Sequence, residues 1–406
     1  MKGCGQYLAR YAEPEAGLAR EQLCASEKKG RWQYGLVIPV YKEDPAFYRC
    51  LTTTLLKQHA ALLVLVVNQP DSLPGPDADN SQLWRNLMAC TSPCQSGSHL
   101  ELRAIPNTDS DVLLIDRFSP TRQIPKKQGV GLARKIGADI ILSLIDSGHI
   151  NHPWIYTSDA DAQLPSNYFS ALDGAINARG KAQPAAAIFP FKHLCDDSAI
   201  GRATRLYEQR MAQYVDGLNR AGSPYAFQTI GSTIAASAVH YAQVRGFPKR
   251  SGGEDFYLLN KLAKTGPIYQ LPGPQINIAA RQSDRVPFGT GPAISQLLLE
   301  KDLDTAQIFY HPQIFIELKT WLDAMPMSQT RPLEELPLST AARQALQAIG
   351  ATRAIEAARN ISTSTQSFGK HLHTWFDAFK TLKFVHHLRD NGHPNLSRDD
   401  ARLELR

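Results

Sequence analysis

The chain has 406 residues, of which 43% are hydrophobic and 20% charged, and a formal net charge of +6. That balance excludes a disordered or low-complexity protein, and the length allows one large α/β domain with an appendage, or two domains. The positive charge is spread out, in short clusters such as Lys28-Lys29-Gly30-Arg31 and Lys126-Lys127. It argues against nucleic-acid binding and suits an acidic, phosphorylated substrate. No apolar run approaches the roughly 18 residues that a transmembrane helix needs. Met1 to Arg20 lacks the apolar centre of a signal peptide. The six cysteines share no paired spacing. The lone C-x-x-x-C of Cys90 and Cys94 reads as reduced thiols in a cytoplasmic protein, not as zinc or disulfides.

In chain order, residues 1–33 read as a polar lead-in with one helix. Gly35 to Val40 is a short apolar run closed by polar residues, hence a strand. Leu62 to Val67 is a second, apolar on both faces like a buried parallel strand. A helical stretch near Pro45 to Lys57 completes a βαβ unit with a right-handed crossover. Residues 70–110, rich in Pro, Asp, Ser and Gly, read as a long loop with one short helix around Leu83 to Met88. The spacing then predicts a helix from about Gly129 to Ser147, a strand over Trp154 to Thr157 and another over Ala185 to Phe191. A long amphipathic helix is expected over 198–221 and a shorter one over 255–265.

After about residue 292 the pattern is helical, broken at Pro312, Pro326, Pro332 and Pro337. In its last segment, Leu372, Trp375, Phe376, Phe379, Leu382, Val385 and Leu388 follow three-and-four spacing, with lysines and histidines opposite. This reads as a helix packed on the main domain. The sharper alternative is a basic amphipathic helix in peripheral contact with the inner face of a membrane. The expected domains are 1–33, 34–295 and 296–406.

The chemistry begins with aspartates. Four D-x-D triplets occur: Asp77/Asp79, Asp109/Asp111, Asp159/Asp161 and Asp302/Asp304. Only the third follows a clear buried-strand pattern, Trp154-Ile155-Tyr156-Thr157. Side chains alternate along a strand, so Asp159 and Asp161 share a face just beyond its end, where two carboxylates can hold a divalent cation and leave room for phosphate oxygens. Open α/β sheets bind ligands outside the carboxyl ends of their strands. The first strand ends in Pro39, Tyr41, Glu43 and Asp44, and the second in Asn68, Gln69 and Asp71. These make a nucleotide-sized ring in which Tyr41 would lie against a nucleoside and Asn68 or Asp71 would hydrogen-bond base or ribose. Turn formation explains Tyr41 and Asn68 equally well.

A second constellation is Gly252-Gly253-Glu254-Asp255, an acid pair opening a helix. It reads as helix-start acids or as a general base aimed at a bound hydroxyl. A third, Arg281-Gln282-Ser283-Asp284-Arg285 before Gly289-Thr290-Gly291-Pro292, offers two arginines to a leaving diphosphate. His193, His240 and His311 are assigned no role.

Val37-Ile38-Pro39-Val40-Tyr41, Gly129 to Gly137, Ser158-Asp159-Ala160-Asp161 and Gly253-Glu254-Asp255 occur in that order. Together with Gly231-Ser232-Thr233 through Gly246-Phe247, they resemble the family 2 glycosyltransferases of the GT-A fold over about residues 34–292. The resemblance implies a Rossmann-like α/β/α sandwich with a mixed, mainly parallel sheet, here with a helical C-terminal extension. It implies a nucleotide-diphosphate sugar as donor and Mn²⁺ or Mg²⁺ as cofactor. Asp161 looks like the metal-binding acid, and Asp159 like its partner on metal or ribose. Asp255 looks like the catalytic base of inverting members, with Glu254 orienting the acceptor. Arg134 falls where the family has an arginine near the donor. Pro39, Tyr41, Glu43, Asn68, Arg281 and Arg285 complete the expected donor site.

The implied activity is non-processive transfer of one sugar to an acceptor hydroxyl on a saccharide, a lipid-linked molecule or a small molecule. Two departures stand out. The base loop reads Asn68-Gln69-Pro70-Asp71-Ser72, where an acid-rich loop is usual. Gln282-Ser283-Asp284-Arg285-Val286 echoes the Q-x-x-R-W of processive synthases but carries Val286 for tryptophan. The rival readings are a catalytically inactive binding or scaffold protein of the same fold and a sugar nucleotidyltransferase. The latter would want a glycine-rich basic loop where Tyr41-Lys42-Glu43-Asp44 stands. An aspartate-nucleophile phosphatase is disfavoured by Ala162 and Gln163 after the D-x-D.

Overall fold

The computed structural model describes residues 3–24, 29–97, 99–179, 183–283, 285 and 289–404. The chain divides into two compact units, Met1–Leu194 with Thr229–Pro292, and Cys195–Gln228 with Ala293–Arg406.

The first unit is a mixed α/β structure. Its strands are β1 (Tyr34–Val40), β2 (Ala61–Asn68), β3 (Ser92–Ser96), β4 (Leu100–Ala104), β5 (Asp111–Arg117), β6 (Trp154–Thr157), β7 (Ala162–Gln163), β8 (Ala186–Ile188), β9 (Phe191–Leu194), β10 (Ile234–Ser237), β11 (Ile268–Gln270) and β12 (Ile276–Ala279). Nine of them form one sheet in the order β11-β8-β10-β6-β1-β2-β5-β4-β3. Within it β4 and β10 run against the others, so the sheet is mainly parallel. β7, β12 and β9 form a small second sheet.

The centre is built as its composition demands. β1 and β2 are buried along their whole length and pair in parallel from Tyr34↔Ala61 to Val40↔Val67. Pro39 is tolerated because β6 pairs with β1 only as far as Val37↔Thr157. Val37 accepts from Ser158 N, so Pro39, two residues on, faces the same side, where the ladder has ended and no N–H is needed. The helix Gly129–Asp146 carries the chain from β5 back to β6 across β1 and β2. Gly137 lets it approach, since a Cβ there would lie 2.5 Å from Val37 Cγ1.

Four expectations need correction. The 70–110 segment is no loop: it holds the helix Ala78–Ala89 and the antiparallel strands β3 and β4, and β5 follows, also unpredicted. The expected strand over Ala185 to Phe191 is two, β8 and β9, in different sheets and parted at Phe189-Pro190. The lead-in carries two helices, Cys4–Arg10 and Pro14–Cys24. The last apolar segment is two helices, Thr365–Trp375 and Ala378–Asp390, parted where Asp377 Oδ1 caps the second by accepting from Phe379 N and Lys380 N.

The second unit is helical. It contains Ala199–Arg220, Gln313–Ala324, Thr340–Ala348 and Ala351–Ile361, and ends with the helices just named and Arg398–Leu403. Its core gathers Leu318, Trp321, Leu346, Leu372, Phe384 and Leu388. Of the apolar stripe, Leu372, Phe376, Val385 and Leu388 are buried in this core and Trp375 packs against it, while Phe379 and Leu382 are half-buried. Among the described residues no helix is long and apolar enough to cross a membrane, and Cys4, Cys50, Cys90, Cys94 and Cys195 form no disulfide.

Candidate active site

The four D-x-D triplets have different fates. Asp77 caps the helix Ala78–Ala89, accepting from Asp79 N at 3.0 Å. Asp111 is buried and accepts from Arg31 and from Trp32 Nε1. Asp302 closes its own turn on Asp304 N. Asp159 and Asp161 stand just past β6, at the edge where β1 and β2 also end.

Arg134, in the helix Gly129–Asp146, is 2% exposed and reaches this edge. Its Nη2 donates to Asp159 Oδ1 at 2.7 Å and its Nε to Glu254 Oε1 at 3.1 Å. Its Nη1 donates to the carbonyls of Ser158 and Gly231 at 3.2 and 3.4 Å. Burial works against the guanidinium's charge, but Asp159 and Glu254 overcome it and hold Arg134 above its ordinary range.

Gly131 explains how the acid pair comes here. Its N–H donates to Arg250 O at 2.9 Å, and a Cβ would meet the carbonyls of Pro248 and Arg250 at 2.5 and 2.6 Å. The glycine-rich start of the helix thus seats the loop that leads into Glu254 and Asp255. Those acids open the helix Glu254–Leu262, whose N-terminus favours negative charge. Burial wins over the dipole. It raises Glu254, and together with the charge of Glu254 it pushes Asp255 up to about 7. The bond from Phe256 N to Asp255 Oδ1, 2.7 Å, only partly offsets this.

A second charged group adjoins the first. The small sheet brings β12 beside Asp161, with Ala279 N donating to Asp161 O at 3.0 Å. Arg281 follows two residues on. It forks onto Glu43 at 3.0 and 2.8 Å and reaches Asp161 Oδ2 at 2.7 Å. Arg285 donates to Tyr41 O at 2.7 Å and to Glu43 Oε1. Burial first, then the negative charge of Asp159, raises Asp161 to about 6 against the pull of Arg281.

The structure therefore brings together Arg134, Asp159, Asp161, Glu254 and Asp255, with Glu43, Tyr41, Arg281 and Arg285 alongside. Pro39 lies buried in β1 behind them. Asn68 is buried, its Nδ2 donating to Val40 O and Val66 O at 3.0 and 3.1 Å. Asp71 Oδ1 accepts from Lys126 N. Asp284 and Val286 of the Q-x-x-R-W echo, and Lys28, lie outside the described residues. His240 pairs with Thr265 Oγ1, and His311 accepts from Gln313 N in the second unit. Asn80, which fixes Lys42, escapes sequence reading, because it belongs to no spacing pattern. Gly231 and Ser158 lie inside the motifs quoted above without an assigned part: the carbonyl of Gly231 meets Arg134 and Thr157 Oγ1, and Ser158 is buried with an Oγ that finds no hydrogen-bond partner among the described residues.

Among the described residues no group of three or more His, Cys, Asp or Glu side chains is gathered as a metal site. The donors present suit a hard cation held by one or two carboxylates, Asp161 and Asp159, and completed by phosphate oxygens.

No protein-family model matches this sequence, and no curated protein matches it. Solved structures that the chain resembles distantly include S. aureus TarS 1-349 in complex with UDP-GlcNAc (10% identity over 88% of this chain and 80% of that one, TM-score 0.38). Two others are the mannosyltransferase PcManGT from Pyrobaculum calidifontis in complex with GDP-Man and Mn²⁺ (14% identity, 93% and 95%, TM-score 0.37) and GalNAc-T7 with UDP, GalNAc and Mn²⁺ (11%, 83% and 56%, TM-score 0.37). Likeness this distant leaves the site residues to carry the functional reading.

Proposed function

We propose that the protein is a metal-dependent glycosyltransferase of the GT-A type, in the manner of family 2. It would move one sugar from a nucleotide-diphosphate donor to an acceptor hydroxyl with inversion. The observation that carries this reading is the Arg134 bridge, which unites a D-x-D at the strand ends with an acid pair on a separate helix. An Mn²⁺ or Mg²⁺ ion held by Asp161 and Asp159 would neutralise diphosphate charge.

The chain's own groups account for the rest. Asp255, with its raised affinity for a proton, takes the acceptor's hydroxyl proton, and Glu254, held by Arg134, orients the acceptor. The acceptor oxygen bonds to C1 of the sugar from the face opposite the departing group. The C1–O bond to the diphosphate breaks, and its electron pair leaves with the diphosphate. Arg281 and Arg285 can release Glu43 to take up that charge. Tyr41 lines the nucleoside side.

The test is calorimetric titration of UDP, GDP, dTDP and ADP with Mn²⁺ and with EDTA. Metal-dependent binding of one diphosphate, abolished in Asp161→Ala, is expected. Absence of binding to all four would overturn the donor site.

A further inference from the structure

The second unit has a cleft of its own, about 330 Å³ in volume, unconnected with any residue of the proposed transferase site. Its lining includes the buried Leu206 and Leu297. Its rim is charged, and the charges are sorted by element. Arg202 and Arg205 come from one face of the helix Ala199–Arg220, three residues apart. Glu300, Asp302 and Asp304 come from a single turn, with Lys301 among them.

The arginines are steadied without being used up. Arg202 Nη1 donates to Asp197 O at 2.6 Å, and Arg205 Nη2 to the carbonyls of Cys195 and Asp196 at 3.4 and 3.3 Å, with the exposed Asp197 carboxylate 3.7 Å away. Each guanidinium has five N–H donors, so most of the fork remains. On the acidic side Asp302 is turned into its own loop, but Asp304 meets Arg398 only at 3.6 Å, beyond hydrogen-bond range. Arg398 also lines the cleft, its Nε lying 3.5 Å from Asp399 Oδ1.

We infer that this cleft binds a small hydroxyl-bearing anion, of the sugar-phosphate or sugar-acid kind. Guanidinium groups only donate and carboxylates only accept. A bare anion would satisfy the arginines but offer no O–H group to Glu300 and Asp304. A neutral sugar would satisfy the acids and leave the arginines without an oxyanion. A hydroxylated anion gives oxygen to the first, O–H groups to the second and a C–H face to the leucines.

The experiment is saturation-transfer NMR on the full chain with glucose 6-phosphate and glucuronate, beside glucose, inorganic phosphate and phosphoethanolamine. One of the two hydroxylated anions should bind about tenfold more tightly than glucose or phosphate, the scale of one charge-assisted contact. That binding should be lost in the double variant Arg202→Ala/Arg205→Ala at unchanged melting temperature, and kept in Asp161→Ala. The inference is overturned if phosphate alone binds as well, if phosphoethanolamine is preferred, or if no probe binds. It is also overturned if binding survives the double variant or disappears with Asp161→Ala, which would put the probe at the carboxylate site.

Discussion

Arg134 lies between Asp159 and Glu254, 2.7 Å from one and 3.1 Å from the other, so a single buried cation ties the D-x-D to the acid pair. Removing it strands Glu254, which is 4% exposed and takes its hydrogen bond from Arg134 Nε. Arg134→Met should therefore destabilise the protein by roughly 3–5 kcal/mol, the cost of breaking a buried pair from one side. Arg134→Lys should cost less, because the charge survives, yet one ammonium cannot fork between both acids and two carbonyls. Urea denaturation of the two variants measures this. A loss below about 1 kcal/mol for Arg134→Met would show that the bridge is not holding Glu254.

Asp255 is the proposed base, and its substitution separates chemistry from binding. Asp255→Asn should lower turnover about 10²–10⁴-fold and leave nucleoside-diphosphate affinity unchanged. A base must be ionised to act, and Asp255 is pushed up to about 7. Wild-type turnover should thus rise through neutral pH and level off above it. A flat profile from pH 5 to pH 9, or a binding loss equal to the turnover loss, would remove Asp255 from that role.

The same shift makes a stability prediction with a definite sign. Asp255 titrates from an ordinary 3.8 up to about 7 in the folded protein, chiefly through burial. Between those values the folded chain keeps a proton that the unfolded chain has released, so stability falls as pH rises across this window. Glu254 and Asp161 are raised too and act in the same direction. The melting temperature of the metal-free protein should drop from pH 4 to pH 7, and Asp255→Asn should flatten part of that slope. A melting temperature that climbs over this range would contradict the burial argument.

Much of the site was legible because it sits where strong patterns end. Gly35 to Val40, Leu62 to Val67 and the helix from Gly129 announce themselves by unbroken apolar runs, and acids placed directly after such runs are easy to see. β5 was not legible, although Val112 to Ile115 is apolar, because Asp111 and Asp116 bound it and look like loop residues. Asp111 is in fact ion-paired with Arg31 and accepts a hydrogen bond from Trp32, both from a distant part of the chain. β3, with Ser92, Pro93 and Gln95, survives only as an exposed edge strand next to β4. Residues 195–228 group with the C-terminal helices through contacts such as Gly217 against Phe315, which no local pattern records. Asn68 shows a related ambiguity: its Nδ2 meets Val40 O, a backbone bond that no local pattern announces.

The turn after β1 stores strain that a double substitution can expose. Lys42 has φ +55°, a left-handed conformation that costs a side-chain-bearing residue roughly 1–2 kcal/mol. Asn80, fully buried, holds it there: its Oδ1 accepts from Lys42 N at 3.0 Å while its Nδ2 donates to Asn68 O at 2.9 Å. One amide thus clamps the ends of β1 and β2 together beside Tyr41 and Glu43. Asn80→Ala should cost about 1–3 kcal/mol, since Lys42 N and Asn68 O lose their partner. Lys42→Gly removes the left-handed penalty but adds backbone entropy to the unfolded chain, roughly 0.5–1 kcal/mol, and so should be neutral to slightly stabilising. The exposed pair of Lys42 with Asp77, 3.2 Å, contributes little to that balance. In the Asn80→Ala background, Lys42→Gly should recover part of the lost stability, because glycine keeps the turn without the clamp. Thermal unfolding of the two single variants and the double variant reads the coupling directly. Strict additivity would mean that Asn80 does not hold Lys42 in its strained conformation.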